Sequence, residues 1–376
     1  MHKLIVFAAC VMLACSANAF GQSTADKDWR SSITAAESIT LAHDRTALTA
    51  SRGNDGMVVD GGLVRLSLRV PTTQGMIAAR LWLSPRCLLQ RDRRLVAMIP
   101  GTLVNGAGYY EVDVAGYRGF NAAAILARNG YCVLAVDLPG SGESDHPDDA
   151  MDLRTADVAA ALVQIAQPVA FLLGVSRWDV YAETGTATSA ALWLARRSDV
   201  RSLVISSPFY LRFGPASAAA FDPQLRQILA VSPYFPIDET LIAPFFGTPS
   251  PAVQSAALQA ILGPVPHAIP TGATFNEVAE VPFDIDATTG EFVLAFPIVD
   301  AAPARVDALL LQGSPDFVGS ESGTAALAAR YGSTGGGQAR LVVIPGASHL
   351  MRFDAAYGDG DHSAVWAPIL AFLAAH

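Results

Sequence analysis

Five short runs of uninterrupted apolar residues constrain this chain more than any other feature. They are Leu95–Ile99, Cys132–Val136, Leu203–Ile205, Leu309–Leu311 and Leu341–Ile344. Such runs, lacking polar alternation, fit strands covered on both faces, as in a parallel sheet. Between them lie segments with helical apolar spacing: Phe120–Arg128, Thr155–Ala166, Thr188–Arg196 and Gly323–Arg330. A last one covers Ser363–Ala374. Strands alternating with helices predict an α/β fold with a doubly wound, mostly parallel sheet. Upstream, Leu63–Val70 alternates apolar and polar residues. A turn at Thr72–Gly75 leads into a second strand, Met76–Leu83, so a half-buried hairpin precedes the alternating units.

One stretch breaks the alternation. Residues 208–304 separate the Leu203 and Leu309 strands and are rich in Pro, Ala and Phe. A structureless loop of that length does not suit a compact domain. The expectation is an inserted, largely helical cap, with Pro251–Leu262 as one of its helices. Residues 61–207 and 305–376 then form the core, and residues 20–60 an N-terminal extension without a core of its own. Residues 1–19 read as a secretory signal: His2 and Lys3, an apolar run from Leu4 to Ala14, then Ala17-Asn18-Ala19 as the cleavage pattern. The alternative, a lipoprotein anchor at Cys15, fits poorly, because Leu13 stands two residues before the cysteine rather than three. The chain is expected to be exported, periplasmic or extracellular. No later stretch reaches about 18 uninterrupted apolar residues, so no stable membrane span is expected after cleavage. An oxidising compartment permits a disulfide between Cys87 and Cys132, and two buried free thiols remain the alternative.

Charge narrows the function. There are 25 Lys and Arg against 34 Asp and Glu, a net charge of −9, and charged residues make up only 16%. That composition argues against disorder and against nucleic-acid binding, which needs clustered basic residues. No dinucleotide fingerprint or P-loop is present, so no cofactor is expected. The four cysteines show no zinc-type pairing.

The loops after the apolar runs carry the chemistry, because ligands of open α/β sheets gather at the carboxyl ends of the strands. After Ile99 comes Pro100-Gly101-Thr102-Leu103-Val104-Asn105-Gly106, a glycine-containing turn able to aim a backbone N–H at an oxyanion. After Val136 comes Asp137-Leu138-Pro139-Gly140-Ser141-Gly142-Glu143-Ser144. After Leu311 comes Gln312-Gly313-Ser314-Pro315-Asp316-Phe317-Val318, and after Ile344 comes Pro345-Gly346-Ala347-Ser348-His349. Together these loops resemble those of the α/β-hydrolase superfamily, over residues 63–207 and 305–376. The resemblance implies that Asp316 and His349 are the acid and the histidine of a nucleophile–His–Asp relay. It also implies Thr102 as an oxyanion-hole donor.

The nucleophile turn departs from the family's G-x-S-x-G. The matching stretch is Tyr181-Ala182-Glu183-Thr184-Gly185-Thr186-Ala187-Thr188, which has no serine. Counting from the strand places Thr184 at the nucleophile and gives the N–H of Gly185 to the oxyanion hole. Counting back from the helix places Gly185 there, leaving Thr186, Ser207 or no hydroxyl to act. Glu183 is a third register, echoing hydrolases with a carboxylate nucleophile. Thr184 is preferred, because a hydroxyl is what a neighbouring histidine activates.

The cap is rich in aromatics: Phe209, Tyr210, Phe213, Phe221, Tyr234, Phe235, Phe245, Phe246 and Phe275. These form the cap's own core or line an apolar pocket. The expected activity is cleavage of a carboxylic ester or lactone with a hydrophobic portion. The alternatives are ligand binding without turnover and a non-hydrolytic acid/base step at His349. Asp354, Asp359 and Asp361 read as a solvated loop, with a calcium site as the alternative. His146, His267 and His362 have no motif partner.

Overall fold

The computed structural model describes residues 38–43, 46–51, 57–60, 62–101, 103–104, 106–117, 119–218, 231–247, 249–263 and 267–376. The signal segment 1–19, Thr102 and Phe221 therefore lie outside the described residues.

Eight strands form the body of the main sheet: β4 (Leu63–Thr72), β5 (Gly75–Leu83), β6 (Leu95–Ile99), β7 (Cys132–Val136), β8 (Trp178–Glu183), β9 (Val200–Ser206), β15 (Asp307–Ser314) and β16 (Ala339–Pro345). Their spatial order is β4-β5-β7-β6-β8-β9-β15-β16. Every pair from β7 to β16 is parallel, whereas β4–β5 and β5–β7 are antiparallel. Residues read as an extension continue the sheet at one edge. There β1 (Ser38–His43) pairs with β2 (Thr46–Ser51), while β2 and β3 (Met57–Asp60) pair with β4.

Period-two geometry explains the uninterrupted apolar runs. In β6, Leu95, Ala97 and Ile99 enter one core cluster, while Val96 and Met98 enter the other. Helices cover both faces. α1 (Pro85–Leu89), α3 (Thr155–Leu173) and α4 (Gly185–Leu194) pack into the first cluster. α2 (Ala122–Arg128) and the C-terminal helix (Trp366–Ala375) pack into the second. The sequence reading ended α3 at Ala166, ahead of Pro168, yet the helix runs through Pro168 to a left-handed cap at Gly174. It is long and apolar enough to cross a membrane, and half of it is buried inside the protein. Ala122–Arg128 carries an asparagine cap: Asn121 accepts a hydrogen bond from the N–H of Ala124.

Between β9 and β15 the chain leaves the sheet. It forms a three-stranded sheet of β10 (Arg212–Phe213), β14 (Phe292–Leu294) and β13 (Phe283–Ile285), and a strand pair of β11 (Tyr234–Ile237) and β12 (His267–Pro270). α5 (Pro251–Leu262) stands at its predicted position, capped by Ser250. The insertion thus adds two small sheets to the helices expected there. Cys87 and Cys132 are joined as a disulfide with a Cα separation of 5.5 Å. Of the two states left open by the sequence, this is the paired one.

Candidate active site

Three loops at the carboxyl ends of β8, β15 and β16 build the site. Thr184 follows β8 and precedes α4. Its backbone is at φ 60° and ψ −177°, a region that side chains with a Cβ seldom enter. The turn is held by the N–H of Thr184 on the carbonyl of Ser206 (2.9 Å) and that of Thr188 on the carbonyl of Thr184 (3.0 Å). The Thr188 hydroxyl adds a bond to the same carbonyl. The turn is so tight that a Cβ at Gly101 would overlap Thr184 Oγ1, so the chain after β6 passes against the hydroxyl only as glycine.

The three candidate positions differ in this geometry. φ is positive at both Thr184 (60°) and Gly185 (25°), and the helix begins at Gly185 with Thr184 as its cap. Glu183 is the last residue of β8 and is buried with Arg352 at 3.4 Å. Burial, only partly offset by Arg352, pushes its carboxyl above the usual carboxylate range. Thr186 and Ser207, the other hydroxyls considered, are both occupied: Thr186 donates to the carbonyl of Ala273 and Ser207 to the carbonyl of His349.

Asp316 and His349 meet as the loops predict. His349 Nδ1 lies 2.9 Å from Asp316 Oδ2, with both side chains buried. Asp316 Oδ1 accepts the N–H groups of Val318 (2.9 Å) and Gly319 (2.8 Å), and Oδ2 accepts Gln312 Nε2 (2.8 Å). Burial pushes the Asp316 carboxyl up, but His349 and the two N–H groups outweigh it and hold it below its ordinary value. Two glycines permit the approach. A Cβ at Gly313 would strike the backbone of Ala347 and Ser348, and one at Gly319 would strike Asp316. His349 Nε2 is buried and makes no hydrogen bond among the described residues. The imidazole packs between Phe209 (5.3 Å between centroids) and Phe245 (5.5 Å).

Both phenylalanines line a cavity of about 350 Å³ that also exposes Thr184, Gly185 and Leu103. The cap supplies most of its wall, including Tyr210, Phe213, Phe235 and Phe275. Other cap aromatics do structural work: the Tyr234 hydroxyl donates to the carbonyl of Pro147, and Phe246 packs on Phe353. The three acidic residues after His349 diverge. Asp354 accepts the N–H of Ser348, Asp359 accepts that of Gly119, and Asp361 faces the exposed His362. His146 packs beside Tyr234, and His267 contributes backbone pairing to β12.

Two side chains of the site escaped the sequence reading. Gln312, fully buried, bridges Thr324 and Asp316. Arg352, also fully buried, faces Glu183. Each had a signal: an amide at the end of an apolar strand, and a lone cation within Leu350-Met351-Arg352-Phe353.

Comparison with known proteins agrees with this fold. Residues 96–358 match the model of the alpha/beta hydrolase family. No curated protein sequence matches significantly. Among solved structures, a hypothetical protein of Pseudomonas aeruginosa is similar at 15% identity and a TM-score of 0.55, covering 87% of this chain and 98% of that one. A putative hydrolase of Bacillus subtilis is similar at 16% identity and a TM-score of 0.51, covering 82% and 92%. DcsB, solved with a substrate analogue, is similar at 14% and 0.52, covering 83% and 98%. With the sheet order and the loop positions, the family match identifies this chain as a member of the alpha/beta hydrolase family.

Proposed function

We propose that this protein is an exported hydrolase that cleaves a carboxylic ester or lactone with a hydrophobic portion, using Thr184, His349 and Asp316. The observation that carries the reading is the buried Asp316–His349 pair, whose imidazole is flanked by two phenylalanines of the same apolar cavity that Thr184 enters. Asp316 holds the imidazole with Nδ1 protonated and leaves Nε2 as the base. Nε2 takes the Thr184 proton as Oγ1 attacks the acyl carbon. The oxyanion meets the N–H of Gly185, at the start of α4, and the resemblance to the family's loops offers Thr102, outside the described residues, as the second donor. Collapse expels the alcohol, which receives the proton from His349. Water activated by the same nitrogen then releases the acid from Thr184. The apolar wall favours an aliphatic or aromatic acyl group over a charged one. The Cys87–Cys132 disulfide supports an oxidising compartment.

The test is a fluorophosphonate probe with peptide mass spectrometry, alongside turnover of p-nitrophenyl butyrate. An adduct on Thr184, lost in His349→Ala together with turnover, is the expected result. Undiminished turnover in His349→Ala would sink the mechanism. Binding of the ester without turnover or adduct would favour a non-catalytic ligand-binding role.

A further inference from the structure

The geometry points to Arg352 as a positioning residue that holds three loops of the site in register. The inference rests on the reading that His349 acts on Thr184. Arg352 lies three residues after His349, and its side chain is wholly buried. Its guanidinium Nη1 donates to the carbonyl of Phe120 (2.7 Å), Nη2 donates to that of Tyr109 (3.1 Å), and Nε faces Glu183 Oε1 (3.4 Å). The cation also lies against the rings of Phe353 (4.1 Å) and Tyr109 (4.3 Å).

These partners belong to separate parts of the site. Glu183 is bonded directly to Thr184. Tyr109 sits in the 3-10 turn Gly106–Glu111, which continues the loop after β6. Arg352 itself belongs to the turn that follows His349. One side chain thus joins the histidine loop, the nucleophile turn and the oxyanion-side loop. It is absent from the cavity wall and does not touch the imidazole, so its action is through the backbone it holds.

Electrostatics explains why Glu183 accompanies it. A guanidinium does not lose its proton in a protein. Burial alone would lower the pKa of Arg352, but Glu183 and the phenols of Tyr109, Tyr181 and Tyr110 hold it above the ordinary value. His349 acts on Glu183 from the relay side. A buried ion pair is seldom more stable than an apolar replacement, whereas one half of it alone is unfavourable. A pair that bridges three loops therefore serves their registry rather than the stability of the core.

The test uses two variants of the mature protein, Arg352→Lys and the paired Glu183→Gln/Arg352→Met. Arg352→Lys keeps the charge but loses the forked geometry. The paired change removes both charges together. Each is assayed for folding by circular dichroism and for kcat and KM on p-nitrophenyl butyrate. Proton NMR follows the low-field resonance of His349 Nδ1–H. We expect folded variants with kcat lowered about 100-fold, the cost of roughly an ångström of misplacement, with KM little changed and the resonance broadened by exchange. Unchanged kcat, an equal rise in KM, or a resonance as sharp as the parent's overturns the inference. Failure of both variants to fold also overturns it, since Arg352 would then serve folding. If the parent protein turns over no ester, the functional reading fails separately and the resonance alone decides the positioning role.

Discussion

At the residue scale the site turns on one threonine in a backbone region suited to glycine. Thr184 carries a Cβ, and a branched one, at φ 60° and ψ −177°. Such conformations cost about 1–3 kcal/mol and persist where the surroundings fix them. Thr184→Ser keeps the hydroxyl and removes the methyl that restricts χ1. Recovery of about 1 kcal/mol in the barrier corresponds to roughly a fivefold rise in kcat. Steady-state kinetics on p-nitrophenyl butyrate measures it, and a serine variant slower than the parent would show that the methyl positions Oγ1. Gly101→Ala tests the other side of the turn. Its Cβ would occupy the place of Thr184 Oγ1, so labelling by a fluorophosphonate should be lost while the fold survives. Labelling at the parent rate would mean that the hydroxyl does not need that place. These details explain what the sequence could not say. Glu183, Thr184 and Gly185 are adjacent, and the residue types alone do not say where the turn falls or where the Glu183 side chain goes. Asp316 and His349 were legible because each lies in the short loop after a strand with an unambiguous apolar run, within a loop that resembles the family's. Arg352 was not, because its partners are distant in the chain, Glu183 by 169 residues; Gln312 was not, because an amide four residues before Asp316 carries no motif of its own.

At the element scale the loop after β7 shows how a buried carboxylate builds a turn and what it costs. Asp137 accepts the N–H groups of Ala107 and Glu143, and so ties its own loop to the loop after β6. A Cβ at Gly106 or Gly142 would strike its carboxylate, which accounts for both glycines. Burial raises the Asp137 pKa to about 6, against the opposing pull of the two N–H groups and Arg80. A carboxyl whose folded pKa exceeds its unfolded one favours the folded state most fully below the unfolded value, near pH 4. It loses that contribution as pH rises through about 6. The difference at full ionisation is about 3 kcal/mol. Asp137→Asn should therefore flatten the fall in Tm between pH 4.5 and 7.5, as followed by calorimetry at each pH. A slope equal to the parent's would assign that fall to other groups. Strands of this sheet were readable as runs because both faces are covered. Helix ends were less readable: α3 continues past Pro168, since packing of Val169, Ala170 and Leu173 offsets the lost hydrogen bond. The small sheets of the insertion were missed because strands of two to four residues carry no periodicity to detect.

At the scale of the whole molecule, two cores on opposite faces of one sheet hold the loops of the candidate site at its edge, and the insertion closes over them. The disulfide joins two elements that the fold must bring together early in the chain order. Cys87 lies in α1 and Cys132 opens β7, with both side chains fully buried in the first core. The sequence separation of 45 residues sets the loop that the link closes. By chain entropy, closing a loop of that size stabilises the folded state by about 4 kcal/mol. Replacing both cysteines avoids leaving a lone thiol, so Cys87→Ala/Cys132→Ala is the informative variant. Part of its cost is the lost sulfur packing, and the rest is the restored freedom of the unfolded chain. A protein of this size loses roughly 1–2 °C in Tm per kcal/mol, so the variant should melt about 5 °C lower. Treatment of the folded parent with dithiothreitol should leave its activity intact, since neither sulfur is exposed to the reagent. Heating in dithiothreitol should instead bring its Tm down toward that of the variant, because reduction follows unfolding. A variant with the parent's Tm would mean that the core alone fixes α1 against β7. Rapid loss of activity in dithiothreitol at room temperature would mean that this part of the core opens well below the global transition.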